Sequence, residues 1–330
     1  MLLCLLWVCR VHAPKVIYPA TVANVSEAKK DHFVDDYGVD VFYRHWASDT
    51  PQGSVVISHG ASEHGGRYDR FARALNAAGY TVLAPDQRGH GRTRESTGVG
   101  RCGAGGGDGL IEDLYEMVSI AADATGGLPV VLFGHSLGSM ITQAYAARGA
   151  KGLAGYILSG PVGAPEGGEE MLAGVQAAVD GGLGDEPLDA LGAYNATFEP
   201  ARTPFDWLSR DDAEVDAYIA DDFCGASNPL TYGFLKEVLS LAVPSVTPAG
   251  VQGIPRIPVM LIAGEMDPVG AMGASVRELE GRLTKEGLDV TARYYPEARH
   301  ELLNETNRDE VQSDVVAWLD ATLGARLATT

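Results

Sequence analysis

The stretch that decides the fold is Pro129-Val130-Val131-Leu132-Phe133-Gly134-His135-Ser136-Leu137-Gly138-Ser139-Met140. An apolar run rich in β-forming residues ends at a glycine, and a helix-like segment follows the second glycine. Glycine two positions before and two positions after a serine is typical of a sharp strand–turn–helix corner that lifts a nucleophilic serine above a sheet edge. The N–H groups at the start of the helix favour negative charge there. The pattern predicts Ser136 as a nucleophile; the alternative is a structural turn.

Composition limits the class of protein. The chain has 330 residues, enough for one large domain with an insertion, and a hydrophobic content of 45% that supports a sizeable core. Its formal charge of −19 argues against nucleic acid as a partner, which requires a basic face, and against docking on anionic lipid. The cysteines form no Cys-x-x-Cys pair and are predicted to be free thiols. They are Cys4, Cys9, Cys102 and Cys224.

Residues 1–30 are predicted to be a leader that takes no part in the fold. Residues 1–10 are largely apolar but too few to span a bilayer, so no stable membrane span is expected. The sequence favours a cytoplasmic protein, or a secreted one if residues 1–13 act as a signal. No basic residue precedes the apolar run, and an upstream start-site artefact is a further alternative.

The rest of the chain alternates short apolar strands with amphipathic helices. Besides the strand at 130–134, strands are expected at 32–35, 39–43, 54–58, 80–84, 155–159, 258–263 and 290–295. Helices are expected at 68–78, 110–122, 140–148, 274–285 and 308–323. This alternation is typical of a mostly parallel sheet that is covered by helices on both faces.

Two segments depart from the alternation. Residues 103–109 are rich in glycine and are expected to form a flexible surface loop. Residues 161–253 are acidic, rich in glycine and proline, and show helical pieces but no clear buried strand. The sequence therefore predicts an α/β core formed by residues 31–160 and 254–330, with residues 161–253 inserted as a helical cap.

A serine hydroxyl becomes a good nucleophile when a base takes its proton and a carboxylate holds that base in the right tautomer. After this kind of corner, the acid and then the histidine follow the serine along the chain. His300 is the only histidine after Ser136, and it comes just past the last predicted strand. Asp267 is preferred to Glu265 as the acid because it directly precedes Pro268, in a turn at a strand end.

The oxyanion that such a reaction forms requires two preset N–H donors. One is expected from Leu137, the residue directly after the serine. The other is expected from Ala61, because His59-Gly60 lets the backbone turn tightly after the preceding buried strand.

Other motifs in the chain do not indicate a metal or a nucleotide cofactor. His59, Glu63 and His64 suggest metal ligands, but their spacing is not that of a helical zinc motif. Residues 98–103 match a dinucleotide pattern by letter, yet no strand precedes them. The sequence therefore predicts neither a cofactor nor a metal site.

Five stretches carry a resemblance to a known family. They are HGASEHGGRY at 59–68, DQRGHGR at 86–92, GHSLG at 134–138, LSRD at 208–211 and HELLNE at 300–305. With them the chain resembles α/β-hydrolases of the monoacylglycerol lipase group, which are similar to lysophospholipase-like and serine aminopeptidase-like hydrolases. The resemblance runs through most of the chain from residue 31 on. It implies an α/β-hydrolase fold and the hydrolysis of a small ester with a single, apolar acyl chain.

The resemblance also suggests substrate contacts. Glu63 and Arg67 are implied as polar anchors near the alcohol end of the ester. The alternative is that Glu63 and Arg67 form an internal salt bridge, which holds the loop that carries Ala61. Departures from the group's pattern occur at Gln87, where the group usually carries histidine, and at Leu303, where some animal members carry histidine.

An apolar substrate needs apolar walls, and the predicted cap carries candidates for them. These are Met171, Leu172, Val175, Phe198, Phe205, Trp207, Leu230, Phe234, Leu235 and Leu239. Leu239 is a candidate substrate contact because it shares one helical face with Phe234, Leu235 and Val238. The alternative is that these residues only pack the cap on itself.

Other functions remain open at the level of sequence. The same triad serves esterases for short-chain, aryl or phthalate-type monoesters, and it also serves peptidases of this fold. A different class is a non-catalytic ligand-binding protein on a hydrolase fold, against which the intact set of Ser136, Asp267 and His300 argues. The sequence does not determine the oligomeric state.

Overall fold

A computed structural model of the chain describes residues 28–164, 167–188 and 191–327. Most of the predicted leader, including the candidate signal at 1–13, lies outside the described residues. The first strand begins at Lys29, so Lys29 and Lys30 belong to the fold rather than to the leader. Of the cysteines within the described residues, Cys102 and Cys224 are buried and free; the other two lie outside them.

The central sheet is mostly parallel. The strands of the described residues are β1 Lys29–Val34, β2 Asp40–Trp46, β3 Gly53–Ser58, β4 Tyr80–Pro85, β5 Val130–His135, β6 Leu153–Ser159, β7 Pro187–Leu188, β8 Leu230–Thr231, β9 Val259–Gly264 and β10 Val290–Tyr295. Eight of them form one sheet in the order β1-β2-β4-β3-β5-β6-β9-β10. β2 is antiparallel to both of its neighbours, and every other pair is parallel. The predicted sheet is confirmed.

Helices cover both faces of the sheet. They are α1 Asp69–Ala77, α2 Arg94–Thr97, α3 Gly106–Ala124, α4 Leu137–Ala147, α5 Gly168–Ala178, α6 Asp212–Ala220, α7 Tyr232–Ser245, α8 Pro248–Gln252, α9 Ala274–Lys285 and α10 Arg308–Leu327. Alternate side chains of a strand point to opposite faces. Val130 and Leu132 of β5 accordingly pack in one core with α3, α4 and α9. Val131 and Phe133 pack in a second core with α1 and α10. Burial on both faces explains the continuous apolar run of β5.

None of the helices that the structure describes has the length and apolar character needed to cross a membrane.

The glycine-rich stretch at residues 103–109 is not the flexible loop that its composition predicts, because α3 already begins at Gly106. The Glu237 carboxylate accepts a hydrogen bond from the N–H of Gly107 at 2.9 Å, at the start of this helix. A side chain at Gly109 would collide with the guanidinium of Arg88. The glycines therefore allow close packing at the start of the helix.

The segment 161–253 follows β6 and precedes β9, and it contains α5 to α8. It is called the cap segment below, and its status as a separate domain stays a prediction. The strand pair β7–β8 lies within it, and β8 is buried, which the sequence did not reveal because two residues are too few for a strand pattern. Phe234 and Val238 of α7 pack in the core with α4. A separate apolar cluster contains Trp207, Leu208, Tyr218 and Cys224.

Candidate active site

Ser136 lies at a strained corner between β5 and α4. Its φ is +51°, a left-handed value that a residue other than glycine rarely adopts unless its surroundings hold it there. The Ser136 N–H donates to the carbonyl of Ser159 at 3.0 Å, which ties the corner to the end of β6. The helix begins at Leu137, three residues before the predicted start at Met140. The N–H of Leu137 therefore belongs to the helix N-terminus.

Two glycines bring α4 close to the sheet. A Cβ at Gly134 would collide with the side chain of Thr142, and one at Gly138 would collide with the carbonyl of Ser58 at the end of β3. Close approach of the helix to two strands therefore explains the spacing of the glycines around Ser136. The sequence pattern depends on the same requirement, because the positions that flank the serine must lack side chains.

His300 is buried in the loop after β10. Its Nδ1 lies 2.9 Å from Oδ2 of Asp267. The other carboxylate oxygen of Asp267 accepts from the N–H of Val269 at 2.9 Å, so both oxygens have partners. Glu265 instead pairs with Arg277 at 2.7 Å in a partly exposed ion pair. The structure brings Asp267 to His300, and it places Glu265 at the surface.

The surroundings of His300 favour its protonated form. Burial alone would lower the pKa of its imidazole, but the Asp267 carboxylate, with smaller contributions from Glu301 and Glu63, raises that pKa above its ordinary value. The neighbouring His135 behaves in the opposite way, because burial and the proximity of His300 lower its pKa to about 4. His300 is therefore the histidine of this pair that can accept a proton at neutral pH.

Ser136 and His300 line the same small cavity, which has room for about one water molecule. In the part of the chain that the structure describes, no hydrogen bond joins their side chains; such bonds are often long in enzymes without substrate. The cap segment supplies four residues to the lining, which are Leu191, Trp207, Leu208 and Tyr218.

The two predicted oxyanion donors lie at this cavity. Ala61 lines it, and Leu137 directly follows the serine. Neither of their N–H groups has a hydrogen-bond partner among the described residues, so both are available to a ligand. The N–H of Gly60 donates to Oε1 of Glu63 at 2.5 Å, which fixes the turn that carries Ala61.

This geometry can be compared with known proteins. Residues 49–307 match the model of a family described as serine aminopeptidase, S33. The chain belongs to the serine aminopeptidase S33 family. This S33 protein is 33% identical to a monoacylglycerol lipase from Mycolicibacterium smegmatis, over 89% of this chain and 98% of that protein. It is 28% identical to human monoglyceride lipase, over 90% of this chain and 91% of that protein.

Comparison with a solved structure supports the same relationship. The S33 protein superposes with a TM-score of 0.83 on a highly thermostable carboxyl esterase from Bacillus coagulans, whose crystal structure is a complex with glycerol. The two chains are 29% identical, and the match covers 90% of this chain and 99% of that one. The α/β-hydrolase fold and the resemblance to the monoacylglycerol lipase group are confirmed.

Glu63 and Arg67 belong to a buried ionic network in the S33 protein. Arg67 donates to both carboxylate oxygens of Glu301, at 2.6 and 2.8 Å, and to Glu63 at 2.8 Å. The hydroxyl of Tyr68 also donates to Glu63, at 2.8 Å. Burial alone would raise the pKa of Glu63, but Arg67 and two nearby histidines lower it to about 2. This arrangement fits the internal salt bridge better than a free anchor for substrate.

Sequence reasoning gave Glu301 no role in this network. The sequence did offer one signal that Glu301 lies near the site. It directly follows His300, and the loop that positions the histidine also positions its neighbour. The partner could not be identified, since Arg67 and Glu301 are 234 positions apart in the chain.

Arg67→Met should lower the free energy of unfolding by about 3–5 kcal/mol, because two buried carboxylates lose their shared cation. Chemical denaturation at neutral pH measures this loss. The control is Arg148→Met, whose exposed pair with Asp108 should contribute no more than about 1 kcal/mol. Equal stability of the two variants would mean that the network adds nothing and would favour the anchor role for Arg67.

The three residues that suggested a metal site do not converge. Both ring nitrogens of His59 bond to backbone groups, and Glu63 pairs with the guanidinium described above. His64 lies instead beside Asp221 and Cys224, with their candidate ligand atoms within 4.8 Å of one another.

This second group also fits a metal poorly. The Nδ1 of His64 accepts from the N–H of Gly66 at 3.1 Å, so the ring proton lies on Nε2 and points at Asp221, 3.0 Å away. Burial raises the pKa of the Cys224 thiol, which keeps it protonated and a weak ligand. A hydrogen bond from His64 to Asp221 of the cap segment explains the group without a metal.

Leu239 is buried in α7 and does not line the cavity beside Ser136. The helix packs against α4 and α5, so its apolar face is occupied in this arrangement. A contact between Leu239 and an acyl chain stays a prediction.

Proposed function

We propose that this protein is a serine hydrolase that cleaves carboxylic esters with a single acyl chain, monoacylglycerols or similar esters, through an acyl-enzyme. The observation that carries the proposal is the pair of His300 and Asp267 beside a serine at a strained corner. Two relatives that the chain covers almost completely support ester substrates, since their names are monoacylglycerol lipase and carboxyl esterase.

The first half of the reaction forms the acyl-enzyme. Asp267 accepts a hydrogen bond from the Nδ1–H of His300, which holds the ring in the tautomer whose Nε2 lone pair can take the proton of the Ser136 hydroxyl. The serine oxygen then attacks the ester carbonyl carbon. The N–H groups of Ala61 and Leu137 stabilise the resulting oxyanion. When the intermediate collapses, the Nε2 proton passes to the alcohol, which leaves.

The second half repeats these steps with water. His300 takes a proton from the water molecule, and its oxygen attacks the acyl carbon. The new oxyanion uses the same two N–H groups, and its collapse returns the proton to Ser136. The products are a carboxylic acid and the free enzyme.

If the substrate is lipid-like, kcat/KM should rise a few-fold with each added acyl carbon and then level off, because each CH₂ that is buried in an apolar acyl site contributes about 0.8 kcal/mol until that site is full. Rates with monoacylglycerols of graded chain length test this. Leu239→Trp should shorten the preferred chain and leave acetate esters unaffected. Ser136→Ala measured in parallel gives the background rate.

The same panel separates the alternatives. Equal cleavage of acetate and medium-chain esters, with no effect of Leu239→Trp, would replace the lipid-type proposal with a hydrolase of small or aryl esters. Turnover of aminoacyl anilides alone would indicate a peptidase. A folded protein that cleaves none of these compounds would be a binding protein.

A further inference from the structure

Trp207 carries an indole N–H that is buried in the protein. The residue lies in a short 3₁₀ turn, Asp206–Leu208, within the cap segment and is 2% exposed. Among the described residues, its Nε1 has no hydrogen-bond partner. Most buried polar groups are hydrogen-bonded, and an unpaired one costs about 1–3 kcal/mol, so such a donor calls for an explanation.

The position of Trp207 offers an explanation for this unpaired N–H. It lines the cavity that holds Ser136 and His300. Its ring centroid lies 5.0 Å from that of His300 and 5.1 Å from that of Tyr194. Its backbone accepts a hydrogen bond from the N–H of His300 at 3.4 Å and donates one to Asn195 at 3.1 Å. The indole is therefore held beside the reacting centre by contacts on both sides.

Two other side-chain donors near the cavity are occupied. Arg67 donates to two carboxylates, and the hydroxyl of Tyr68 donates to Glu63. The two free backbone N–H groups, of Ala61 and Leu137, are assigned to the carbonyl oxygen of the ester. The indole N–H, like the hydroxyl of Tyr218, is therefore available to another oxygen of the substrate.

We propose that the N–H of Trp207 donates a hydrogen bond to a hydroxyl oxygen in the alcohol part of the bound ester, which makes Trp207 a specificity residue for esters of polyols. The inference rests on the proposed ester hydrolysis. An acyl chain carries no acceptor, and the carbonyl oxygen has its own two donors, so the alcohol part supplies the acceptor. An alkyl alcohol would displace water from the indole and leave the donor unpaired, which lowers its affinity.

A pair of esters with one acyl chain tests the proposal. Both carry the chain that the wild-type protein cleaves fastest; one is the glyceryl ester, and the other is the propyl ester, which lacks both hydroxyls. Trp207→Phe removes the N–H and keeps an aromatic ring against His300. It should lower kcat/KM for the glyceryl ester about three- to tenfold and leave the propyl ester nearly unchanged.

A second replacement guards against a packing defect, because phenylalanine leaves space beside His300. Benzothienylalanine at position 207 has the shape of tryptophan with sulfur in place of the N–H, and it should reproduce the selective loss. If both replacements lower the two rates equally, or change neither, Trp207 only packs and the proposal fails.

The outcome also separates this inference from the proposed function. Hydrolysis of both esters by the wild-type protein, with an unchanged ratio in the two replacements, overturns the role of Trp207 alone. If the wild-type protein cleaves neither ester at any chain length, the proposed function fails, and the role of Trp207 fails with it.

Discussion

Ser136→Ala should lower kcat by about 10⁴-fold or more, because it removes the atom that forms the acyl-enzyme. The fold should survive, since the Ser136 side chain has no hydrogen-bond partner within the described residues and alanine is no more strained than serine at this φ. Initial rates, together with chemical denaturation of both proteins, measure the two effects.

The matched control is Ser313→Ala, which changes an exposed serine of α10 and should keep full activity. Near-normal turnover by the Ser136 variant would assign the nucleophile to another residue. If the Ser136 variant loses activity and also unfolds, the rate per folded molecule distinguishes the two roles. A normal rate per folded molecule would mean that Ser136 only forms a structural turn.

Asp267→Asn should lower kcat/KM by about 10⁴-fold, because an amide no longer holds His300 in the tautomer that leaves Nε2 free. The matched control is Glu265→Gln, which changes a partly exposed acid two residues away and should alter the rate little. A large loss from Glu265→Gln alone would mean that the wrong acid is assigned.

The pH profile gives Asp267→Asn a second readout. His300 acts as a base only when it is neutral, so kcat/KM falls as pH drops through its pKa. Asp267 raises that pKa, which places the acid limb of the wild-type profile above the ordinary value for histidine. Without the carboxylate, burial lowers the pKa, and the acid limb of the residual activity should move to lower pH. An acid limb that stays at the same pH in Asp267→Asn would argue against the pairing of Asp267 with His300.

Local patterns in the sequence were sufficient for the sheet and for the positions of the candidate site residues on it. The strands β3, β5 and β9 are buried on both faces, so each reads as a continuous apolar run. The glycines around Ser136 and the proline after Asp267 mark turns at strand ends, where the chain order of a hydrolase corner applies. Because parallel strands end at one sheet edge, residues far apart in sequence could be predicted to lie close together.

Features that depend on long-range packing could not be predicted. The start of α3 at Gly106 depends on Glu237, which lies 130 positions away in the chain. The role of Arg67 depends on Glu301, and the free indole of Trp207 can be recognised only once its neighbours are known. None of these partners leaves a periodic signal near the residue that it affects.

The most direct test of the central claim is to locate the covalent adduct of a fluorophosphonate, which reacts with activated serines, by mass spectrometry of the digested protein. We expect one phosphonyl group per molecule, on Ser136, formed in step with the loss of esterase activity, and no labelling of Ser136→Ala. Complete inhibition with the adduct on another residue, or full activity with Ser136 modified, would contradict the assignment of Ser136 as the nucleophile.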